Sequence, residues 1–184
     1  MQVRIIGGQW KRTPLPVPDA PGLRPSPDRV RVTAFNWIEH FFPDLGALSG
    51  LDLFAGTGAL GFELASRGAA RVTLVERNPV LVAALQRTKQ KLNAEGVTIV
   101  AGDALAYVHS VPDRSFDIVF LDPPFDGDLL QPALEAASRV VSPHGAIYAE
   151  SGTPLEAKAA AKCGLRIVRA ARAGHVHFHL LQRA

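Results

Sequence analysis

The chain has 184 residues, of which 47% are hydrophobic and 20% are charged, and its formal net charge is +3. These values are typical of a soluble, single globular domain; no apolar run approaches the roughly 20 residues of a membrane helix, and the N-terminus lacks a signal-peptide core, so we expect a cytoplasmic protein. The single cysteine, Cys163, excludes an internal disulfide and a zinc site built on cysteines.

The predicted organisation begins with a basic N-terminal arm and helix at residues 1–40, ahead of a main domain at residues 41–184. Residues 2–6 predict a short strand, and residues 13–27 a proline-rich extended segment. Ser26 is the predicted N-cap of the helix, with Pro27 in its first turn. An apolar stripe at helical spacing predicts the side of this helix that faces the core, and it consists of Val30, Ala34, Phe35, Ile38 and Phe41.

The net positive charge of the N-terminal arm is larger than that of the whole chain. Residues 1–37 hold six basic side chains against two acidic ones, namely Arg4, Lys11, Arg12, Arg24, Arg29 and Arg31 against Asp19 and Asp28. A polyanionic partner such as a nucleic acid would explain this surplus, and so would a solvated, flexible tail. Charge alone does not separate these two interpretations.

From residue 50 onward, predicted strands and helices alternate along the chain. The strands lie near 50–54, 71–75, 97–101, 116–121 and 145–149, and the helices near 58–67, 79–94, 104–109, 128–141 and 154–163. Such alternation predicts a parallel sheet with helices on both faces. Residues 165–173 and 175–182 are separated only by Gly174 and predict an antiparallel hairpin. This is the layout of Rossmann-like class I methyltransferases, an α/β fold with a mostly parallel seven-stranded sheet, here with a small N-terminal extension.

A glycine-rich turn follows the first of these strands, within the sequence LDLFAGTGALG at residues 51–61. Gly56 and Gly58 allow the backbone to turn tightly and to approach a ligand closely. Asp52 stands just before the turn, Glu76 ends the second strand and Asp103 follows the third. A carboxylate at the end of the second strand is placed to accept hydrogen bonds from ribose hydroxyls, and Asp103 is placed to contact an adenine amino group.

The same turn also satisfies the G-x-G-x-x-G fingerprint of dinucleotide-binding proteins, with an acid about 20 residues further on. Two features favour S-adenosylmethionine over a nicotinamide cofactor. The carboxylate of Asp52 suits a positively charged sulfonium amino acid and repels a pyrophosphate. The second feature is the tetrapeptide at residues 122–125, which hydride transfer does not need.

That tetrapeptide, Asp122-Pro123-Pro124-Phe125, directly follows the fourth predicted strand. The amino nitrogen of a nucleobase is a poor nucleophile, because its lone pair is delocalised into the ring. The Asp122 carboxylate and the Pro123 carbonyl can accept its N–H bonds, the prolines hold the loop still, and Phe125 can stack on the base. A plain turn after a strand is the alternative for the tetrapeptide alone. Taken together with the glycine-rich turn, the tetrapeptide predicts methylation of a nucleobase amine, at the carboxyl ends of the strands where the strand order reverses.

Three histidines alternate along the last predicted strand, at positions 175, 177 and 179. The spacing would place them on one face, away from Val176, Phe178 and Leu180, which we expect to face the core. No cysteine or paired carboxylate stands near them in the sequence, so we favour a structural role and predict no metal site.

Several blocks of the sequence resemble the RsmD family, whose members are bacterial methyltransferases that modify the N2 amino group of one guanine in 16S ribosomal RNA. The N-terminal blocks are RIIGG at 4–8, LRP at 23–25, DRVR at 28–31 and FNW at 35–37. The others are DLFAGTGALG at 52–61, ER at 76–77, LDPPF at 121–125 and AGHV at 173–176. The resemblance covers almost the whole chain. The central blocks occur in many amine-methylating enzymes, and the N-terminal blocks narrow the resemblance to this family.

The resemblance implies roles for individual residues. S-adenosylmethionine would be bound by Asp52, Phe54, Gly56, Thr57, Gly58, Glu76, Arg77, Asp103 and Ala104. The catalytic residues would be Asp122, Pro123, Pro124 and Phe125, with RNA bound by Arg24, Arg29 and Arg31. Phe178 departs from the pattern, because we expect tyrosine at this position of the hairpin in many members.

The implied partner is 16S rRNA within the small ribosomal subunit or a late assembly intermediate, bound by a monomer without membrane contact. One alternative is a DNA methyltransferase that modifies adenine N6 or cytosine N4, although the chain has no room for a separate domain that reads the major groove. Another is a non-enzymatic RNA-binding protein that uses the same fold as a scaffold.

Overall fold

The computed structural model describes residues 3–125 and 128–184. In these ranges the elements follow the order β1 (Val3–Arg4), β2 (Pro14–Leu15), α1 (Asp28–Phe41), β3 (Ser49–Asp52), α2 (Ala59–Ser66), β4 (Arg71–Glu76), α3 (Pro79–Leu92), β5 (Val97–Ala101), α4 (Ala104–Ser110), β6 (Phe116–Leu121), α5 (Leu130–Val140), β7 (Val141–Ser151), α6 (Ala157–Lys162), β8 (Leu165–Ala173) and β9 (Val176–Arg183). None of the helices in these two ranges is long and apolar enough to cross a membrane.

Seven of the strands form one sheet in the order β5-β4-β3-β6-β7-β9-β8. Strands β3 to β7 are parallel, whereas β9 runs antiparallel to both of its neighbours, β7 and β8. The strand order reverses between β3 and β6, where Asp52 pairs with Phe120 in the register. The predicted α/β fold, with seven strands and a closing antiparallel hairpin, is confirmed. The carboxyl ends of β3 and β6 therefore lie side by side.

Two apolar clusters cover the two faces of this sheet. One includes residues of α1, α2 and α3, and the other includes residues of α4, α5 and α6. Along β6, Ile118 and Phe120 belong to the first cluster, while Val119 and Leu121 belong to the second. Successive side chains of a strand point to opposite faces, so a strand buried on both faces is apolar throughout.

Helix α1 packs its predicted apolar stripe into the first cluster, where Val30, Phe35 and Ile38 are fully buried. The prediction that Ser26 caps this helix is wrong. The helix begins after Pro27 without a side-chain cap, and the Ser26 hydroxyl donates instead to Glu150 on β7 at 2.7 Å. A buried carboxylate is a stronger acceptor for the hydroxyl than a neutral partner. The domain boundary near residue 40 stays a prediction, although α1 shares its core with the sheet.

Candidate active site

A pocket of about 470 Å³ opens at the carboxyl ends of the parallel strands. The loops after β3, β4, β5 and β6 line it, together with residues 21–27 of the N-terminal arm and the tip of the β8–β9 hairpin. It brings together most of the predicted site residues, namely Arg24, Asp52, Phe54, Gly56, Thr57, Glu76, Arg77, Asp103, Ala104, Asp122, Pro123, Pro124 and Phe125. Gly58, Arg29 and Arg31 are not among its lining residues.

Gly58 does not line the pocket, but it permits the backbone turn that lies beside the pocket. Its φ of +78° is left-handed, and it immediately precedes helix α2. A Cβ atom at this position would lie 2.5 Å from the ring of Phe62 and 2.7 Å from Leu85. The glycine therefore permits both the turn and the close packing of α2 that follows it.

Asp52 is the most unusual acid of the pocket. Its side chain is 1% exposed, and its Oδ2 atom accepts a hydrogen bond from the Gly61 amide at 3.0 Å. The Oδ1 atom is buried and has no hydrogen-bond partner among the described residues. Burial raises the pKa of this carboxyl from an ordinary 3.8 to about 7. An unpaired buried carboxylate oxygen at a pocket favours a ligand that brings a positive charge or a hydrogen-bond donor.

Glu76 is held by backbone amides on both sides. Its Oε2 atom accepts from the Gly56 amide at 2.9 Å, and its Oε1 atom accepts from the Asn78 amide at 2.8 Å. The side chain of Asn78 in turn caps α3, which begins at Pro79. Each carboxylate oxygen of Glu76 retains a second lone pair, so the fixed group can still accept bonds from ribose hydroxyls.

Asp103 has a structural role that sequence reasoning did not assign. Its Oδ1 atom accepts a hydrogen bond from the Ala106 amide at 2.9 Å, which makes it the N-cap of α4. The residue is exposed, whereas the neighbouring Ala104 is buried. The cap fixes the carboxylate at the pocket wall, and the Oδ2 atom remains able to accept from a ligand.

A buried polar chain leads away from Asp122 at the end of β6. The Ser26 hydroxyl lies 3.4 Å from Asp122 Oδ2 and donates to Glu150 Oε1 at 2.7 Å. The Tyr148 hydroxyl also donates to Glu150 Oε1, at 2.9 Å. Sequence reasoning missed Ser26, Tyr148 and Glu150 as site residues. Glu150 directly follows the predicted strand 145–149, the same signal that identified Asp52 and Asp122.

Burial raises the pKa of Asp122 well above its ordinary value, and the negative charge of Glu150 adds to this effect. The hydrogen bond from Ser26 acts in the opposite direction and lowers the pKa of Asp122. The ionised form of Asp122, which the predicted chemistry needs, is therefore disfavoured in the protein without a ligand, because several carboxyl groups share one buried region.

The rest of the tetrapeptide spans the pocket edge. Pro123 is buried, while Pro124 and Phe125 are exposed, the latter to 45%. The ring of Phe125 stands so close to Gly152 that a Cβ atom there would touch it at 3.4 Å. An aromatic ring that is held at a pocket rim and open to solvent can stack on a flat base.

The structure contradicts the predicted role of Arg31 in RNA binding. This side chain is fully buried. It pairs with Asp28 at 2.6 Å, lies 3.8 Å from Glu63 and donates to the Arg4 carbonyl at 2.9 Å. It therefore ties the N-terminal segment to α1 and α2 and cannot reach a phosphate. Arg24 is exposed at the pocket, and Arg29 is exposed outside it.

The histidines at positions 175, 177 and 179 do not share one environment. Phe178 and Leu180 are buried as predicted. His179 is also buried, against expectation, because the sheet is covered on both faces; its Nε2 atom accepts from the Leu155 amide at 3.2 Å. His175 is exposed at the pocket. In residues 3–125 and 128–184, no group of three metal-ligating side chains is arranged to hold a metal ion.

Comparisons with known proteins agree with this geometry. The family model described as conserved hypothetical protein 95 matches residues 3–182. The ribosomal RNA small subunit methyltransferase D of Escherichia coli strain K12 is 45% identical over 130 residues, which cover 71% of this chain and 64% of that protein. The protein of the same name from Haemophilus influenzae is 37% identical over 155 residues, which cover 82% of this chain and 79% of that protein.

A solved structure extends the likeness to the whole chain. The structure described as putative methyltransferase yhhF from Escherichia coli superposes with a TM-score of 0.82 at 36% identity, over 100% of this chain and 98% of that one. The sequence match to the E. coli relative thus spans a little under two thirds of its length, whereas the structural match is complete. From the family match and these relatives together, the chain belongs to the conserved hypothetical protein 95 family, the RsmD family indicated by its sequence blocks.

Proposed function

We propose that this protein transfers a methyl group from S-adenosylmethionine to the exocyclic N2 amine of a guanine in 16S rRNA. The observation that carries the proposal is that the glycine-rich turn with its buried acid Asp52 and the tetrapeptide at residues 122–125 line the same pocket. A cofactor and a nucleobase bound to these two elements would be neighbours. The relatives from Escherichia coli and Haemophilus influenzae are both named ribosomal RNA small subunit methyltransferase D, which supports this reaction and does not favour DNA as the substrate.

The pocket residues fit S-adenosylmethionine. Asp52 offers an unpaired buried carboxylate oxygen to the positively charged end of the cofactor, and Glu76 offers two fixed acceptors to ribose hydroxyls. Asp103 and Ala104 line the end of the pocket beyond β5, where the adenine would lie. When bound, the cofactor supplies an electrophilic methyl group on a sulfonium ion.

Catalysis then depends on how the protein holds the amine. The Asp122 carboxylate and the Pro123 carbonyl accept its two N–H bonds, which localises the nitrogen lone pair and aims it at the methyl group. Phe125 stacks on the guanine and fixes the orientation of the base. Acceptors that are in place before the nitrogen becomes positive need no rearrangement during the reaction, so their effect on the rate is large.

The substrate is expected to approach over the basic N-terminal arm. Arg24 is exposed at the pocket, and Arg29 is exposed on the first turn of α1. Arginine binds phosphate with two parallel hydrogen bonds, so both residues suit an RNA backbone. We propose a monomer that acts in the cytoplasm on the small ribosomal subunit or a late assembly intermediate.

Transfer of a labelled methyl group from S-adenosylmethionine tests the function. The acceptors are small subunits without their native modifications, free 16S rRNA and duplex DNA, and the product is identified by nucleoside analysis. We expect N2-methylguanosine from the RNA acceptors alone. Label in DNA as N6-methyladenine or N4-methylcytosine would overturn the substrate but keep the amine chemistry.

The variant Asp122→Ala tests the assigned chemistry, with the exposed Asp19→Asn as its control. We expect Asp122→Ala to lose most turnover, by a factor of about 100 or more, while its affinity for S-adenosylmethionine stays near that of the wild type. Turnover close to that of the control would show that Asp122 does not hold the amine.

A further inference from the structure

The polar chain beside Asp122 borders the same pocket, because Ser26 and Glu150 are among its lining residues, and it extends to the buried Tyr148. It runs from the Tyr148 hydroxyl to Glu150, on to the Ser26 hydroxyl and from there to Asp122 at the pocket. Tyr148 is fully buried, Glu150 is 1% exposed and Ser26 is 6% exposed. A buried carboxylate is costly unless it is hydrogen-bonded or paired. A second buried acid beside Asp122 at the same pocket therefore needs a reason beyond packing.

Two hydrogen bonds and a nearby cation partly offset the cost of burying the Glu150 carboxylate. Its Oε1 atom accepts hydrogen bonds from two hydroxyl groups, and both bonds lower its pKa, as does the nearby guanidinium of Arg31. Desolvation acts against this and raises the pKa of Glu150 overall. Burial and the charge of Glu150 raise the pKa of Tyr148, so the Tyr148 hydroxyl stays protonated and remains a donor.

Asp122 is thus faced by charged and titratable groups from several elements. Glu150 on β7 and Asp52 at the end of β3 act on Asp122, and Asp122 acts on Tyr148. Arg31 on α1 acts on Glu150 and Tyr148, Glu76 acts on Asp52, and both Asp28 and Glu63 act on Arg31. Arg24, Arg77 and His175 line the same pocket. Arg31 is the cation that acts on Glu150 and Tyr148, and it is shared with Asp28 and Glu63. The balance near Asp122 is therefore negative, which favours the uptake of a proton there.

We propose that Glu150 is a positioning residue: it holds the Ser26 hydroxyl beside the Asp122 carboxyl, and its negative charge makes Asp122 the acceptor of the proton that leaves the methylated amine. This inference rests on the proposed function. The amine nitrogen forms its new bond with the methyl carbon, the carbon–sulfur bond breaks with its electron pair left on sulfur, and one N–H proton moves to Asp122. The products are the neutral N2-methylated guanine, a neutral thioether and a protonated Asp122, so charge and atoms balance.

Two variants separate this role from a merely structural one, because they act on Asp122 in opposite directions. Glu150→Gln keeps the shape and an acceptor for Ser26 but removes the charge, so the pKa of Asp122 should fall. Ser26→Ala removes the hydrogen bond and keeps the charge of Glu150, so the pKa of Asp122 should rise. Simple damage to the pocket would not produce opposite shifts.

The experiment follows the side-chain carboxyl carbon of Asp122 by NMR against pH, in the protein without RNA. Wild type, Glu150→Gln, Ser26→Ala and the exposed control Glu95→Gln are compared, with thermal unfolding as a check that each is folded. We expect the Asp122 midpoint to move to lower pH in Glu150→Gln, to higher pH in Ser26→Ala and not at all in Glu95→Gln. An unchanged midpoint in folded Glu150→Gln, or shifts of the same sign in both variants, would overturn the inference.

Kinetics with an RNA acceptor provide the second readout. In a plot of kcat against pH, the acid limb should shift between variants in the same direction as the NMR midpoint of Asp122. At its plateau, kcat of Glu150→Gln should be roughly tenfold or more below that of the wild type, because a weaker base accepts the proton less readily. KM should change little. Opposite NMR shifts without methyl transfer to 16S rRNA would support the coupling and refute the proposed function. Methyl transfer by the wild type, together with an Asp122 midpoint that does not change in Glu150→Gln, would refute the coupling and leave the proposed function intact.

Discussion

Replacing Asp52 with asparagine should change the pH dependence of stability in a defined way. The folded protein raises the pKa of this carboxyl from 3.8 to about 7. Between these values the folded protein holds a proton that the unfolded chain has already released. The free energy of unfolding must therefore decrease as the pH rises from about 4 to about 7, since ionisation of Asp52 is easier in the unfolded chain.

The size of the effect follows from the same two pKa values. Their difference corresponds to ~4 kcal/mol of stability lost by pH 8, which is an upper value because water can enter the pocket. Asparagine avoids the ionisation but buries an amide NH2 group, at a cost of about 1–3 kcal/mol if it finds no acceptor. We therefore expect Asp52→Asn to exceed the wild type by ~1–3 kcal/mol at pH 8 and to have no advantage at pH 4.

Urea unfolding at pH 4, 6 and 8 measures this difference, with Asp19→Asn as the control for loss of an exposed acid. The charge of Asp52 also raises the pKa of Asp122, so its removal should lower the pKa of Asp122 and add to the advantage of the variant at pH 8. The more stable variant should also bind S-adenosylmethionine about 10- to 100-fold more weakly, because a charge-assisted contact is lost. A stability difference that does not change with pH would refute the reasoning, as would undiminished cofactor affinity.

Four other variants test separate parts of the site. Arg31→Met should lose about 1–3 kcal/mol in urea unfolding, because the buried Glu63 keeps only Arg67 as a cation and the Arg4 carbonyl loses its donor; unchanged stability would contradict this role. Gly58→Ala should lose about 2–4 kcal/mol from strain and overlap, and unchanged stability would contradict the observed turn. Phe125→Ala should raise KM for RNA about tenfold while cofactor affinity is kept, and an unchanged KM would exclude stacking. Arg24→Ser should reduce the salt dependence of RNA binding by about one phosphate contact; an unaltered slope would place Arg24 away from the RNA.

Residues whose role depends on local order were predictable from the sequence. The apolar strand before Asp122 and the glycine-rich turn after Asp52 each combine a strand end with a distinctive loop, so their place at the sheet edge follows from the parallel topology. The antiparallel hairpin was equally clear, because the separation by Gly174 leaves no room for a crossover.

Residues whose role depends on distant partners were not predictable in this way. Ser26 is a reasonable helix cap by sequence, yet its hydroxyl bonds to Glu150, 124 positions away. Arg31 has the same composition signal as the exposed arginines of the arm, but its partner Glu63 lies on another helix. Burial of a charged group depends on which elements meet in space, and a single sequence carries no direct signal for that.

The position of β9 between β7 and β8 also affects how the chain can be completed during translation. Strand β8 leaves the ribosome before β9, yet within the described ranges 3–125 and 128–184 its only ladder is with β9, and β7 pairs with β9 on the side away from β6. Until β9 emerges, β7 presents an open edge that could pair wrongly. The exposed arginines Arg166, Arg169 and Arg172 of β8 disfavour that mistake, since charged edge strands resist improper pairing. The hairpin also supplies His175, in the turn, and Val176, the first residue of β9, to the pocket, so this part of the pocket wall forms only when β8 and β9 have paired.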